Sequence, residues 1–255
     1  MIDRTDILTE TAAITVEEGR PAMGAFVARP AGPWPTGGVL VAGELFGVSA
    51  HVRDVCERLA RLGHVALAPD LHHRTAPGVE LPHDAAGRER GFALLEQMTR
   101  AQVLDDVRAA FAHLRAKGCE RVAMVGLSVG GHVAYLAATE LVLAAVAVFY
   151  GGWLPTTDIP LSQPEPTLTR TPGITGRVLI LVGEQDHVVP REHRRAIADA
   201  LTVARIDHEI VEYPGVGHGF FCERRDSYDR AAAENSWERL AALLDVSRLS
   251  ASSKR

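Results

Sequence analysis

Cysteine is scarce in this chain, and neither charge of one sign nor apolar residues run on for long. Only Cys56, Cys119 and Cys222 occur among 255 residues. Three thiols cannot all pair, which excludes a disulfide framework, and their wide spacing matches no zinc motif. Lys and Arg number 27 against 32 Asp and Glu, for a net charge of −5. The basic residues are scattered among acids, so no patch for nucleic acid is present. The longest apolar run, Leu141 to Tyr150, is far too short to cross a bilayer. The first ten residues carry acids and lack the apolar centre of a secretory leader. These absences lead to the expectation of a cytoplasmic protein, monomer or small homo-oligomer, with no metal and no cofactor. Small molecules are then the expected partners.

With 47% hydrophobic residues the chain can bury a large core, and its length suits one α/β domain. That domain is expected over residues 1–246, followed by a disordered tail over 247–255. Hydrophobic patterning predicts strands near 12–17, 23–28, 38–42, 64–68, 121–126, 144–149, 177–182 and 206–212. Helices are predicted near 50–62, 88–98, 100–116, 129–139, 191–203 and 226–245. Strands separated by helices imply a mainly parallel sheet covered on both faces, and the first two strands read as an antiparallel edge. Residues 151–176, rich in Pro and Thr and without period, are too long for a plain connector and should flank a pocket.

The most informative stretch joins the apolar strand beginning at Arg121 to a helical pattern through Gly126-Leu-Ser128-Val-Gly130-Gly131. This is the sequence of a nucleophile elbow. The turn is too tight for side chains two positions before and two after the serine, and the helix beyond aims its first N–H groups at any oxyanion formed there. A serine needs a base and an acid, in the chain order Ser, Asp or Glu, His. The buried-strand pattern Gly176 to Gly183 leads into Glu-Gln-Asp186, the expected acid. An alternating strand ending at Tyr213 leads into Pro-Gly-Val-Gly-His218-Gly, the expected base. Plainer readings stand beside these. Asp186 could cap the helix starting near Arg191, with Glu184 its only neighbouring competitor, and His218 could be an idle loop histidine. The group His72-His73 with His83-Asp84 fits no metal-binding face and reads as a solvated loop. Cys222 reads as a small buried hydrophobe near the site.

Signatures through nearly the whole chain resemble the dienelactone hydrolase family (carboxymethylenebutenolidase-like) of the α/β-hydrolases. They are Gly43-Glu44-Leu-Phe-Gly47, Leu62-Gly-His-Val-Ala-Leu-Ala-Pro-Asp-Leu71, Gly126-Leu-Ser128-Val-Gly-Gly131, Phe149-Tyr-Gly151, Gly183-Glu-Gln-Asp186 and His218-Gly-Phe220. That family usually carries cysteine where this chain has Ser128. A hydroxyl stays protonated near neutral pH, so here His218 would take its proton during attack. The resemblance implies an α/β-hydrolase fold of about eight strands. It also implies that Glu44 contacts and assists the nucleophile, and that the N–H groups of Leu45 and Val129 form the oxyanion hole. Dienelactone-cleaving members hold a substrate carboxylate with two arginines. Arg88 or Arg90 lies in the region of the first. At the second position stands Cys222, with Arg224 and Arg225 displaced beyond it. The resulting expectation is a cofactor-independent hydrolase of carboxylic esters or lactones working through an acyl-serine. The alternatives are an acyl transferase or thioesterase, and a non-catalytic ligand-binding member of the fold.

Overall fold

The computed structural model describes residues 6–245; the expected tail over 247–255 lies outside them. Eight strands form one sheet, in the order β1-β2-β4-β3-β5-β6-β7-β8. They are β1 (Ile7–Ile14), β2 (Met23–Pro30), β3 (Gly37–Ala42), β4 (Val65–Pro69), β5 (Arg121–Leu127), β6 (Ala145–Phe149), β7 (Arg177–Gly183) and β8 (His208–Tyr213). The first two strands pair antiparallel, as does β2 with β4, and all the remaining pairs are parallel. The expected mainly parallel sheet with an antiparallel edge is therefore present.

Period-two alternation divides the core. Leu40 and Ala42, Val122 and Met124, and Val178 and Ile180 face one layer. Val39 and Val41, Ala123 and Val125, and Leu179 and Leu181 face the other. Helices α3 (Arg100–Ala116), α4 (Val129–Ala138) and α5 (Arg191–Val203) cover the first face. Helices α1 (Ala50–Arg61) and α6 (Arg230–Leu244) cover the second. Helix α4 is buried along its whole length, which explains why it is apolar all round rather than striped. No helix among the described residues is long and apolar enough to cross a membrane.

Some boundaries differ from expectation for local reasons. The first strand spans Ile7–Ile14 rather than 12–17, because its extent follows the eight-residue pairing with β2, Ile7 opposite Pro30, and not its weak apolar pattern. Helix α2 (Ala85–Leu95) starts before residue 88 because the Asp84 carboxylate accepts the Gly87 N–H at 2.8 Å. Helix α6 starts at Arg230 rather than near 226, since Asp229 caps it through the Ala232 N–H. Residues 151–176 hold two short 3₁₀ helices, Pro160–Ser162 and Thr167–Gly173.

That segment is clamped to the body. The Arg100 guanidinium, buried at the start of α3, donates to the carbonyls of Leu161 and Glu165 and to the Glu165 carboxylate. His132 on α4 donates from Nδ1 to the Gly152 carbonyl at 2.9 Å. Because a carbonyl can only accept, the neutral ring presents a lone pair at Nε2, which takes the Thr167 hydroxyl proton at 2.9 Å. Burial pushes the His132 imidazole down to about 4, which keeps it in that neutral form.

Candidate active site

Glycine at 126, 130 and 131 is required by space. A Cβ on Gly126 would stand 2.0 Å from the Gly130 carbonyl oxygen, and one on Gly130 2.1 Å from that of Ala42. A Cβ on Gly131 would approach the Gly151 Cα to 2.8 Å. Strand β5, the turn and α4 are thus pressed against the ends of β3 and β6. Ser128 occupies the turn with φ 55° and ψ −118°, a region costly for a residue with a Cβ.

Ser128, Asp186 and His218 follow β5, β7 and β8, and Glu44 and Leu45 follow β3, all at the carboxyl ends of parallel strands where crevices form in such sheets. The Ser128 Oγ lies 2.9 Å from His218 Nε2, and His218 Nδ1 lies 2.9 Å from Asp186 Oδ2. Since a carboxylate accepts, His218 donates from Nδ1, and its Nε2 lone pair faces the serine hydroxyl. Asp186 is held in turn: its Oδ1 accepts the N–H groups of Val188 and Val189 at 2.8 and 3.1 Å. It is not the cap of α5, whose N-cap is Pro190 with no side-chain bond. Glu184 is exposed and instead accepts the Gly215 N–H at 3.0 Å, bracing the loop that carries His218.

The relay opens into a cavity of about 130 Å³ lined by Glu44, Leu45, Phe46, Phe92, Trp153, Val188 and other residues. Phe92 and Trp153 meet edge to face at 6.3 Å, so its wall is aromatic. Trp153, like Tyr150, has positive φ, at 60° and 43° respectively. Val129, the first residue of α4, is buried and borders a narrower cleft together with Glu44 and Leu45. Tyr150 packs its ring 5.0 Å from that of His218. Burial, then the Glu44 charge, pushes its phenol well above the ordinary value, leaving a neutral hydroxyl beside the relay.

The arginines divide sharply. Arg88 and Arg225 line the cavity. Arg90 and Arg224 are exposed and are not among its lining residues, contrary to their expected roles. Helical phase explains the first pair: Arg88 shares a face of α2 with Phe92, and Arg90 points elsewhere. Local turns explain the second. The Cys222 N–H bonds the Gly219 carbonyl and the Arg225 N–H bonds that of Cys222. The chain thereby folds back, and the Arg225 guanidinium lies over Gly219, where a Cβ would meet Nη1 at 2.4 Å. From there Arg225 donates to Glu44 Oε1 at 2.9 Å.

The solvated-loop reading of the histidine group does not hold. His72 is buried, and His73 and Arg74 both bond the fully buried Asp106 carboxylate of α3, at 3.0 and 2.6 Å. A buried carboxylate needs such partners. His83 packs its ring 4.3 Å from Phe46 and its Nδ1 lies 3.5 Å from the Cys222 sulfur. Sequence reasoning missed Trp153 and Phe92, whose only signal was the unexplained length of 151–176 and the phase of α2.

The family model "Dienelactone hydrolase family" matches residues 23–247. A Synechocystis protein provisionally named a carboxymethylenebutenolidase is 35% identical over 246 residues, covering 93% of this chain and 97% of its own. A solved Klebsiella pneumoniae structure, provisionally titled a dienelactone hydrolase, superposes with TM-score 0.82 at 29% identity, covering 94% of this chain and 99% of that one. A dienelactone hydrolase-like promiscuous phosphotriesterase from metagenomic libraries gives TM-score 0.76 at 25% identity, over 93% and 97% of the two chains.

Proposed function

This chain belongs to the dienelactone hydrolase family, and from that premise we propose that it hydrolyses small carboxylic esters or lactones through an acyl-enzyme on Ser128. As a member of that family with an α/β-hydrolase fold it is a carboxylic ester hydrolase; the serine-dependent course is our reading. The observation that carries it is the unbroken relay Ser128–His218–Asp186, at 2.9 Å per link, beneath a small aromatic cavity.

His218 Nε2 takes the Ser128 proton as Oγ attacks the carbonyl carbon, and Asp186 holds the ring and offsets the charge it gains. The N–H groups of Leu45 and Val129 receive the oxyanion, with the head of α4 adding its dipole. Collapse expels the alkoxide, which leaves with the proton from His218. Water then gives a proton to the same nitrogen and attacks the acyl-serine, and Ser128 Oγ takes that proton from His218 as the acid leaves. In a lactone both products remain one molecule. Glu44, held by Arg225 at the cavity wall, assists the nucleophile, and Arg88 at the rim meets an anionic substituent. Arg90 and Arg224 have no role in this reading.

The test is labelling by a fluorophosphonate, with the adduct located by peptide mass spectrometry. Modification of Ser128 that disappears in His218→Ala supports the mechanism. A folded protein that is never labelled, yet binds lactones, would instead be a ligand-binding member of the fold.

A further inference from the structure

One group of side chains beside the site has no part in the relay. His83 and Cys222 meet Glu44 so that one ring nitrogen, one sulfur and one carboxylate oxygen all lie within 4.8 Å of one another. None of the three is idle surface: Cys222 is fully buried, Glu44 is 5% exposed, and His83 is half-buried under Phe46. Glu44 spends Oε1 on Arg225, but its Oε2 is buried without a hydrogen-bond partner among the described residues. A buried carboxylate oxygen left unpartnered beside a thiol and an imidazole calls for a ligand.

We propose that Glu44, His83 and Cys222, with water at the fourth position, form a site for a zinc-type divalent cation whose occupation shuts down the adjacent Ser128 centre. The donor set chooses the metal class. Thiolate, imidazole and one carboxylate suit zinc or cobalt(II), whereas magnesium and calcium take oxygen sets. Bonds of about 2.0–2.3 Å to a tetrahedral ion hold ligand atoms roughly 3.3–3.8 Å apart. The Cys222 sulfur and His83 Nδ1, at 3.5 Å, already satisfy this. The other separations must shrink by at most about 1.5 Å.

On binding, the Cys222 S–H bond breaks, its proton leaves to solvent, and a sulfur–metal bond forms without any change of oxidation state. The thiolate and the Glu44 carboxylate then balance the dication. Arg225 and the metal compete for Glu44, so capture draws that carboxylate from the cavity it lines, and the added positive charge sits beside the relay. His83 and Cys222 do not line that cavity, so the metal-free enzyme works without them. The inhibitory half of the proposal rests on the hydrolase reading; the binding half does not.

The experiment is a cobalt(II) titration of chelator-treated protein, read by visible ligand-field bands and by the near-ultraviolet thiolate-to-cobalt band, with zinc inhibition of ester hydrolysis followed in parallel. The wild type is expected to develop the thiolate band with saturation at a single equivalent, and to lose hydrolysis over the same range with zinc. Cys222→Ser should lack the band, keep its metal-free hydrolysis, and need more than about 100-fold higher zinc for inhibition, since losing a ligand exceeds the roughly 10–100-fold cost of losing an outer partner. No band in the wild type, or an equal band in Cys222→Ser, overturns the site. A band with unchanged hydrolysis overturns the inhibition. Metal-free protein that binds cobalt but hydrolyses no ester would count against the hydrolase reading alone.

Discussion

Replacing Arg225 by methionine keeps most of the side chain's length and removes only the charge that faces Glu44. The two groups are 2.9 Å apart, with side-chain exposures of 15% and 3%. At an effective dielectric of 20 their attraction amounts to about 6 kcal/mol before desolvation is subtracted. Breaking a buried pair at one end typically costs about 3–5 kcal/mol, because the partner is left as an uncompensated charge. Here relief is small, since Glu44 Oε2 has no partner to take over. We therefore expect Arg225→Met to lose about 3–5 kcal/mol, a shift of roughly 1–2 M in urea midpoint. Glu44→Gln should lose less, because the less buried guanidinium can turn toward solvent. The double variant should be more stable than the sum of the two losses predicts, and the excess is the coupling energy. The assay is urea unfolding of chelator-treated protein at neutral pH, followed by circular dichroism. A loss below about 1 kcal/mol for Arg225→Met, or strict additivity in the cycle, would refute the assignment of Glu44 as a buried charge that depends on this one cation.

Ser128→Ala is expected to lower ester turnover by roughly 10⁴–10⁶-fold with unfolding unchanged; retention of the full rate by purified protein would sink the nucleophile. Gly130→Ala should cost about 3 kcal/mol or more, since its Cβ would lie 2.1 Å from the Ala42 carbonyl oxygen. Gly217→Ala, with nothing within 4 Å, should leave the melting temperature nearly unchanged, and equal melting temperatures for the two variants would contradict the packing argument. His132 titrates near 4 in the folded chain against 6.5 ordinarily. The unfolded chain therefore binds the proton first as pH falls. The stability that comes from a neutral His132 is complete above pH 6.5 and is lost between there and about 4, by about 3 kcal/mol. His132→Gln should show a shallower loss across that window than the wild type, although His51, His72 and other buried histidines are pushed the same way in both. Parallel stability curves for the two proteins would remove His132 from the account.

The relay was legible in the chain because each of its parts sits at a strand end with a local signature: glycines around Ser128, an apolar strand before Asp186, a glycine-rich loop around His218. The sheet was legible for a related reason, since the unbroken apolar runs along β3, β5 and β7 report two covered faces directly. What stayed hidden depends on contacts between distant residues. Arg225 reaches Glu44 across 181 positions only because two successive turns return it to Gly219. The chain neighbours of His83 suggest a solvated loop, whereas the fold sets it beside Cys222, 139 positions away. Residues 151–176 showed no period because their order comes from Arg100, His132 and Thr167, not from an amphipathic face.

The positive φ of Trp153 bears on how this enzyme can change. A bulky residue there carries a standing backbone cost of about 1–3 kcal/mol that glycine would not, while the clamps holding residues 151–176 grip elsewhere, at Gly152, Leu161, Glu165 and Thr167. The indole is held by other means: it packs against the core and, edge to face, against Phe92, and those contacts offset the backbone cost. Diet and durability therefore pull against each other here: exchanging Trp153 for glycine would free the backbone and widen what the enzyme accepts, but would surrender the packing of the indole.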